Sequence, residues 1–319
     1  MKHVFIVNPV SGKQDASAFL LPGLKRAAEE AGVDYAVELT GYAGHAKKLA
    51  RGYGETGGDV RLYACGGDGT LNEVFEGAYP YKNAEVACVP CGSGNDFVRN
   101  FGASQDFLRL PDAIAGTAVP IDLIAVNGGI SAAICSVGVD SEVAYRIPKY
   151  RRLPLCGGQM AYNISIVECM LRPIGKHLRV TIDGEAQEGS FLISTVCNGV
   201  AYGGGYMAAP VADLQDGTLD VILVKKISRL RIAGVLAKYK NGLHLKEGEV
   251  VPELCDIMTY HRAKSVLIEP VDAKPFITNI DGECAPAARL SAEVMPLAAR
   301  FVLPAALYAS FKGKAPALV

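Results

Sequence analysis

Cys65-Gly66-Gly67-Asp68-Gly69-Thr70 closes the apolar run Val60 to Cys65 and opens a stretch, Thr70 to Ala78, with helical patterning. A buried strand that ends in glycines and turns into a helix is the repeating unit of an open α/β sheet. The same rhythm extends outward in both directions. Val4-Phe5-Ile6-Val7 reads as a buried strand. Residues 16–31 read as an amphipathic helix with Phe19, Leu20, Leu24, Ala27 and Ala28 on one face. Tyr35 to Leu39 is a second strand, residues 44–53 a second helix, and Glu85 to Val89 a fourth strand. Strands alternating with helices predict a doubly wound, parallel α/β domain over residues 1–122.

The rhythm changes near Asp122. Residues 119–126, 130–137, 177–183, 190–198, 218–225, 256–260, 264–270, 276–281 and 288–294 read as strands, and only 157–171 and 228–240 as helices. Asn127-Gly128-Gly129 and Asp183-Gly184 separate strands at hairpin distance. The expectation is a β-rich domain over residues 123–304, a sandwich of antiparallel sheets, with the tail 305–319 returning to the first domain.

The chain has 319 residues, half of them hydrophobic, enough for two cores. Its 32 basic and 33 acidic residues leave a formal charge of −1, which argues against a dedicated nucleic-acid binder. Nine scattered cysteines, several inside apolar runs, suit reduced thiols in a cytosolic protein. Cys88-Val89-Pro90-Cys91 has redox-motif spacing but no second pair to complete a zinc site. The apolar run after Lys2 breaks at Asn8-Pro9, unlike a signal peptide. The best candidate for a membrane span, around residues 118–139, is interrupted by Pro120, Asp122, Asn127 and Asp140.

Three glycine-rich turns follow strands of the first domain: Asn8-Pro9-Val10-Ser11-Gly12-Lys13, Gly66 to Thr70, and Pro90-Cys91-Gly92-Ser93-Gly94-Asn95-Asp96. The second and third are each expected to open a helix. All three would gather at the carboxyl ends of the strands, where open α/β sheets bind ligands. Glycine lets backbone approach a phosphate, and helix N-termini offer free N–H groups. Ser11, Thr70 and Ser93 add hydroxyls. One such turn is usually only a turn; three in register point to phosphate. Neither a Gly-x-x-x-x-Gly-Lys-Ser/Thr loop nor a Gly-x-Gly-x-x-Gly fingerprint in the first turn is present.

The second domain carries Asn198-Gly199-Val200-Ala201-Tyr202-Gly203-Gly204-Gly205, then Asp213-Leu214-Gln215-Asp216-Gly217-Thr218-Leu219-Asp220. An acidic loop of this kind suits a hard divalent cation, and equally a capped surface turn. Asp281-Gly282-Glu283 closes a strand; alone it is a hairpin turn with an acidic residue able to accept a proton. Lys149, Arg151 and Arg152 beside Tyr150, Leu153 and Leu155 form either a landing patch for anionic membrane or a solvated charge run. His45, His177, His244 and His261 show no ligand spacing.

These motifs, in this order, resemble the diacylglycerol kinase catalytic-domain family, particularly its bacterial lipid kinases, with sphingosine and ceramide kinases as more distant relatives. The resemblance spans nearly the whole chain. It rests on Asn8-Pro9-x-Ser11-Gly12, Gly66 to Glu73, Pro90-x-Gly92-Ser93-Gly94-Asn95-Asp96-Phe97-x-Arg99, Gly203-Gly204-Gly205 to Ala209-Pro210, Asp216-Gly217-x-Leu219-Asp220 and Asp281-Gly282-Glu283. Ser93 departs from the family's usual threonine but keeps the hydroxyl.

The resemblance implies an ATP-dependent lipid kinase acting on diacylglycerol or a related lipid, with ATP between the two domains. By analogy Asn8, Pro9, Ser11, Gly12, Thr40, Gly66, Gly67, Asp68, Gly69, Thr70, Asn72 and Ser93 contact the nucleotide. Asp216 would ligate Mg2+ with the backbone carbonyls of Asp213 and Thr218. Glu283 matches the family's proton acceptor, and Asp68 is its rival or an organiser of a catalytic magnesium. The expected setting is cytoplasmic, with transient visits to a membrane surface for the lipid. Oligomeric state stays open, a homodimer included. An NAD kinase-like or sugar kinase and a catalytically silent lipid-binding protein are the competing readings.

Overall fold

The computed structural model describes residues 1–12, 15–153 and 158–311. Lys13, Leu155, Gly157 and the tail beyond Phe311 lie outside the described residues. The chain divides into two compact units, Met1–Asp122 with the chain from Pro296 onward, and Leu123–Met295. The re-entry at Pro296, ahead of residue 305, has a simple cause. One long strand, Leu290–Leu303, starts in the second unit and ends in the first.

In the first unit β1 (Lys2–Val7), β2 (Tyr35–Leu39), β3 (Val60–Gly66) and β4 (Ala84–Pro90) pair in parallel in the order β2-β1-β3-β4. The helices α1 (Ala16–Glu30), α2 (His45–Glu55) and α3 (Asp68–Ala78) connect them. The chain leaves β1 toward β2, then returns past β1 to β3, so the order reverses between β1 and β3. Ligands of doubly wound sheets sit at that reversal, beyond the carboxyl ends. The β1, β3 and β4 strands are buried almost throughout, as helices on both faces require.

The α1 helix buries Ala16, Leu20, Leu24, Ala27 and Ala28 against Phe5, Val7, Tyr63 and Cys65. Phe19, expected on this face, is 78% exposed. It lies about 100° around the helix from Leu20, on the row of Gly23 and Arg26. A buried ion pair binds the sheet from within. Arg61 of β3 donates from Nε and Nη2 to Glu85 Oε2 of β4 at 3.0 and 2.8 Å, and Arg300 donates to Oε1 at 2.6 Å.

After β4 the chain makes one turn of 3₁₀ helix, Phe97–Asn100, rather than the longer helix expected after the third glycine turn. A second 3₁₀ segment, α4 (Leu110–Ile114) and β5 (Thr117–Val126) lead to the second unit. There β6 (Gly129–Ser131), β7 (Ile134–Gly138), α5 (Val139–Arg151), α6 (Gly158–Leu171), β8 (Lys176–Ile182), β9 (Glu185–Cys197) and β10 (Leu219–Lys225) follow. Then come α7 (Arg229–Lys240), the small hairpin β11 (Leu245–Lys246) and β12 (Glu249–Val250), β13 (Met258–Ala263), β14 (Ser265–Pro270), β15 (Phe276–Ile280), β16 (Glu283–Ala287), β17 (Leu290–Leu303) and α8 (Ala305–Phe311).

Apart from the short end of β17 against β4, the pairing of β5 to β17 is antiparallel. One core joins Val137, Val180, Phe191, Val196, Val221, Ile268, Phe276 and Leu290 from both arms of the bent sheet. The expected strand 130–137 is two strands, split at Ala132-Ala133. The α5 helix was not expected. Its buried residues Val139, Ser141 and Val143 alternate, which imitates a strand, and Pro148 lies inside it.

Candidate functional site

The glycine turns after β1, β3 and β4 form one network at the carboxyl ends of the parallel strands. Asn8 begins it. Its backbone N–H donates to Cys65 O at 3.0 Å, and its side-chain Nδ2 donates to Thr70 Oγ1 at 3.1 Å. The first turn is thereby tied to the second. Thr40 N–H donates to Val7 O at 2.9 Å, which sets Thr40 beside the same turn. Gly12 has φ +84°, and a Cβ there would stand 2.7 Å from Cys91 O. The second and third turns meet still more closely: a Cβ on Gly92 would lie 2.4 Å from Gly67 Cα. No residue other than glycine fits this contact without moving backbone.

Asp68 locks the third turn. Its Oδ1 accepts N–H bonds from Asp96 at 2.7 Å and Phe97 at 3.3 Å. Asn95, at φ +52°, closes the turn internally on Gly92 N and O, both at 3.0 Å. The residue before α3 is Gly67, which has no side chain to cover the first-turn N–H groups. That helix end, at the order reversal, can receive a phosphate. Glu73, in the same motif, points elsewhere. It accepts from Gly44 N at 2.7 Å and Ala46 N at 3.0 Å, capping α2.

The second unit holds the other motifs. Asp281 (φ +46°) and Gly282 (φ +93°) turn β15 into β16 as a two-residue hairpin. The Asp281 carboxylate is buried and accepts from Ala132 N at 2.6 Å, Ala133 N at 3.0 Å, Ile134 N at 2.9 Å and Ser131 Oγ at 2.9 Å. It accounts for the break between β6 and β7, because it takes the N–H groups that strand pairing would use. Glu283, two residues on, is exposed at the start of β16. In the acidic loop Asp216 Oδ1 accepts from Thr218 N at 2.9 Å and Thr218 Oγ1 at 2.7 Å, while Oδ2 pairs with Arg262. Asp213 Oδ1 accepts from Gln215 N at 3.0 Å. Asp220 is buried under Tyr260, whose hydroxyl donates to it; burial pushes its carboxyl up to about 6.

Two family models divide the chain where its strands change character. "Diacylglycerol kinase catalytic domain" matches residues 2–126, and "YegS C-terminal NAD kinase beta sandwich-like domain" matches residues 133–303. A diacylglycerol kinase of Bacillus subtilis is 30% identical over 283 residues, covering 87% of this chain and 88% of the relative. The chain belongs to the diacylglycerol kinase catalytic-domain family. A probable YegS-like lipid kinase of Pseudomonas aeruginosa is 31% identical over 281 residues, 88% of either chain. The crystal structure of a diacylglycerol kinase from Bacillus anthracis shares the fold, with a TM-score of 0.67, 22% identity, and 96% and 98% of the two chains covered. Members of this family are kinases that move phosphate from ATP to a lipid hydroxyl.

For a diacylglycerol kinase relative the acidic loop raises the question of magnesium. Among the described residues no three His, Cys, Asp or Glu side chains cluster as a metal site. The loop's donors are nonetheless all oxygens, the kind a hard cation takes. The cation would share Asp216 with Thr218 and would take Oδ2 from Arg262. Burial raises the Cys88 thiol well above its ordinary value and pushes Cys91 up to about 11, which disfavours the thiolate of a redox pair.

Sequence reasoning passed over Asp140, at the start of α5. Its Oδ2 accepts from the Tyr202 hydroxyl at 3.0 Å, while Oδ1 has no hydrogen-bond partner among the described residues. Burial raises its pKa. A lone acid at a misread strand end gave no signal in the sequence; only its burial singles it out. Of the basic run, Lys149 pairs with Glu168 at 3.5 Å, while Arg151, Arg152 and Leu153 are exposed. No helix among the described residues is long and apolar enough to cross a membrane.

Proposed function

We propose that this kinase phosphorylates diacylglycerol or a closely related lipid at a membrane surface. The observation that carries the reading is the fused ledge of three glycine turns, closed by Asp68, at the order reversal of the parallel sheet. In it Asn8, Pro9, Ser11, Gly12, Thr40, Gly66, Gly67, Gly69, Thr70, Asn72 and Ser93 hold the nucleotide phosphates. Phosphoryl transfer asks mainly for such alignment and for neutralised charge. A magnesium organised near Asp68 would supply part of that neutralisation, and Asp216 with the carbonyls of Asp213 and Thr218 would hold a structural or regulatory one.

Glu283 takes the proton of the lipid hydroxyl. It is exposed at a hairpin end held by Asp281. Asp68 is already committed: its Oδ1 receives two N–H bonds from the third turn. Asp68 therefore acts by positioning the third turn. Arg151 and Arg152, with exposed Leu153 on the same segment and Met160, Val167 and Leu171 on α6, meet an anionic bilayer. Each basic residue at such a surface contributes about 1 kcal/mol.

Incubation with labelled ATP and vesicles carrying diacylglycerol, sphingoid base, ceramide or phosphatidylglycerol, and with NAD, tests the acceptor. Label is expected in diacylglycerol. Label in NAD alone, or in nothing, would refute the reading. Glu283→Gln should lose about 100-fold in turnover with ATP affinity unchanged; full turnover removes Glu283 from the role.

A further inference from the structure

A cavity of about 220 Å³ lies in the second unit where the start of α5 meets the segment after α6. Gly138 and Val139 line one side, and Arg172, Gly175 and Lys176 the other, with Arg146 and Glu142 between. It is many times the roughly 30 Å³ share of one water, and the kinase chemistry above makes no use of it.

Its charges do not balance. Glu142 pairs with Arg146 and with Lys176 at 3.0 Å. Glu168 pairs with Arg172 at 2.6 Å, Lys149 at 3.5 Å and Arg146 at 3.6 Å. Four cations share two carboxylates, so two positive charges remain. Arg229 fixes the neighbouring chain by donating to Met170 O at 2.8 Å and Arg172 O at 3.0 Å. Of the cations, Arg146 is the most enclosed, while Arg172 and Lys149 reach toward solvent. The N-terminal end of the 13-residue α5 helix faces the same place, with Asp140 and Glu142 in its first turn and the Asp140 carboxylate turned to the Tyr202 hydroxyl. Arginine forks and a lysine with an excess of two charges match a phosphate group, which carries −1 to −2 near neutral pH. Beside the cavity, Val167 and Leu171 stand 58% and 80% exposed one helical turn apart on α6.

We propose that this cavity binds a phosphate group, supplied by an anionic lipid headgroup or as free phosphate. The site is separate from the glycine turns, and its existence does not depend on which lipid is phosphorylated.

The test follows backbone amide shifts of Gly138 and Gly175 by NMR in the full chain. Inorganic phosphate is titrated first and dihexanoyl phosphatidylglycerol second, while Gly12 and Gly67 report the nucleotide turns separately. Saturable shifts at Gly138 and Gly175 are expected. The double variant Arg172→Gln with Lys176→Gln should bind at least about tenfold more weakly, since two charged donors are lost. The charge-keeping variant Arg172→Lys with Lys176→Arg should stay within a few-fold of the parent and guards against misfolding. Response to both probes identifies a headgroup site, and response to phosphate alone a free-phosphate site. No saturable shift at these glycines, or equal binding by the neutralised variant, overturns the proposal.

Discussion

Asp68 and Asp281 stand in motifs of the same form, an aspartate followed by glycine at the end of a strand, one in each unit. Both spend the carboxylate on backbone N–H groups of a distant segment. Asp68 is half-buried and holds Asp96 and Phe97. Asp281, also half-buried, holds Ala132, Ala133 and Ile134. The difference is in what remains. The Asp68 turn lies at a helix N-terminus able to receive phosphate, whereas the Asp281 turn is saturated and delivers only its neighbour Glu283 to the surface. A motif aspartate here is first a staple, and chemistry is done by what the staple presents.

The comparison breaks most visibly at Asp68. Asp68→Ala should lower turnover about 1000-fold and weaken ATP binding, because the third turn is released. Asp68→Asn, which keeps an acceptor oxygen, should restore much of the ATP affinity. Equal losses in the two variants would show that charge, not stapling, is what matters.

At Asp281 the loss should appear in stability instead. Asp281→Ala leaves the Ala132 and Ala133 N–H groups unpaired, while Ile134 N–H and the Ser131 hydroxyl keep each other's oxygens as partners, so a loss of at least about 2 kcal/mol is expected in denaturant unfolding. An unchanged midpoint would contradict the assignment.

Asp220 sharpens the comparison through pH. Its folded pKa, about 6, lies above the ordinary 3.8. The stability it contributes is therefore complete below pH 3.8 and is lost as pH rises through 6. Relative to Asp220→Asn, the native chain should lose on the order of 2–3 kcal/mol between pH 4 and pH 7. A flat difference would mean that Asp220 titrates normally. The smallest effect is expected at Glu73, a staple on an exposed helix end. Glu73→Ala should cost about 1 kcal/mol with the ATP site intact, and a large drop in ATP affinity would place it in the site instead.

The parallel sheet and the glycine turns were legible because their signals are local: an apolar run, then glycine, then a helical stripe. The staples were not. Asp68 and Asp96 are 28 positions apart, and Asp281 and Ser131 150 apart, so no window of sequence pairs them. The α5 helix hid for another reason. The buried residues of its first turns, Val139, Ser141 and Val143, alternate as a strand's would. Loop composition leaves Asp216 equally a cation ligand or a turn cap, the resemblance implies the ligand, and its partner Arg262, 46 positions later on β13, has no local signal.

The two passages of the chain between units, at Asp122 and at Pro296, fix an order of assembly. Phe301 pairs with Val86 and Arg300 reaches Glu85, 215 positions back. A ribosome therefore finishes the early half of this protein last. Residues 123–295 are contiguous and can close their own core as they emerge, while the first sheet waits for its fifth strand with the β4 edge uncovered. Closing so long a loop is slow, and an open strand edge invites foreign pairing. In this chain the nascent first unit, rather than the later β domain, is the part left longest with an open strand edge.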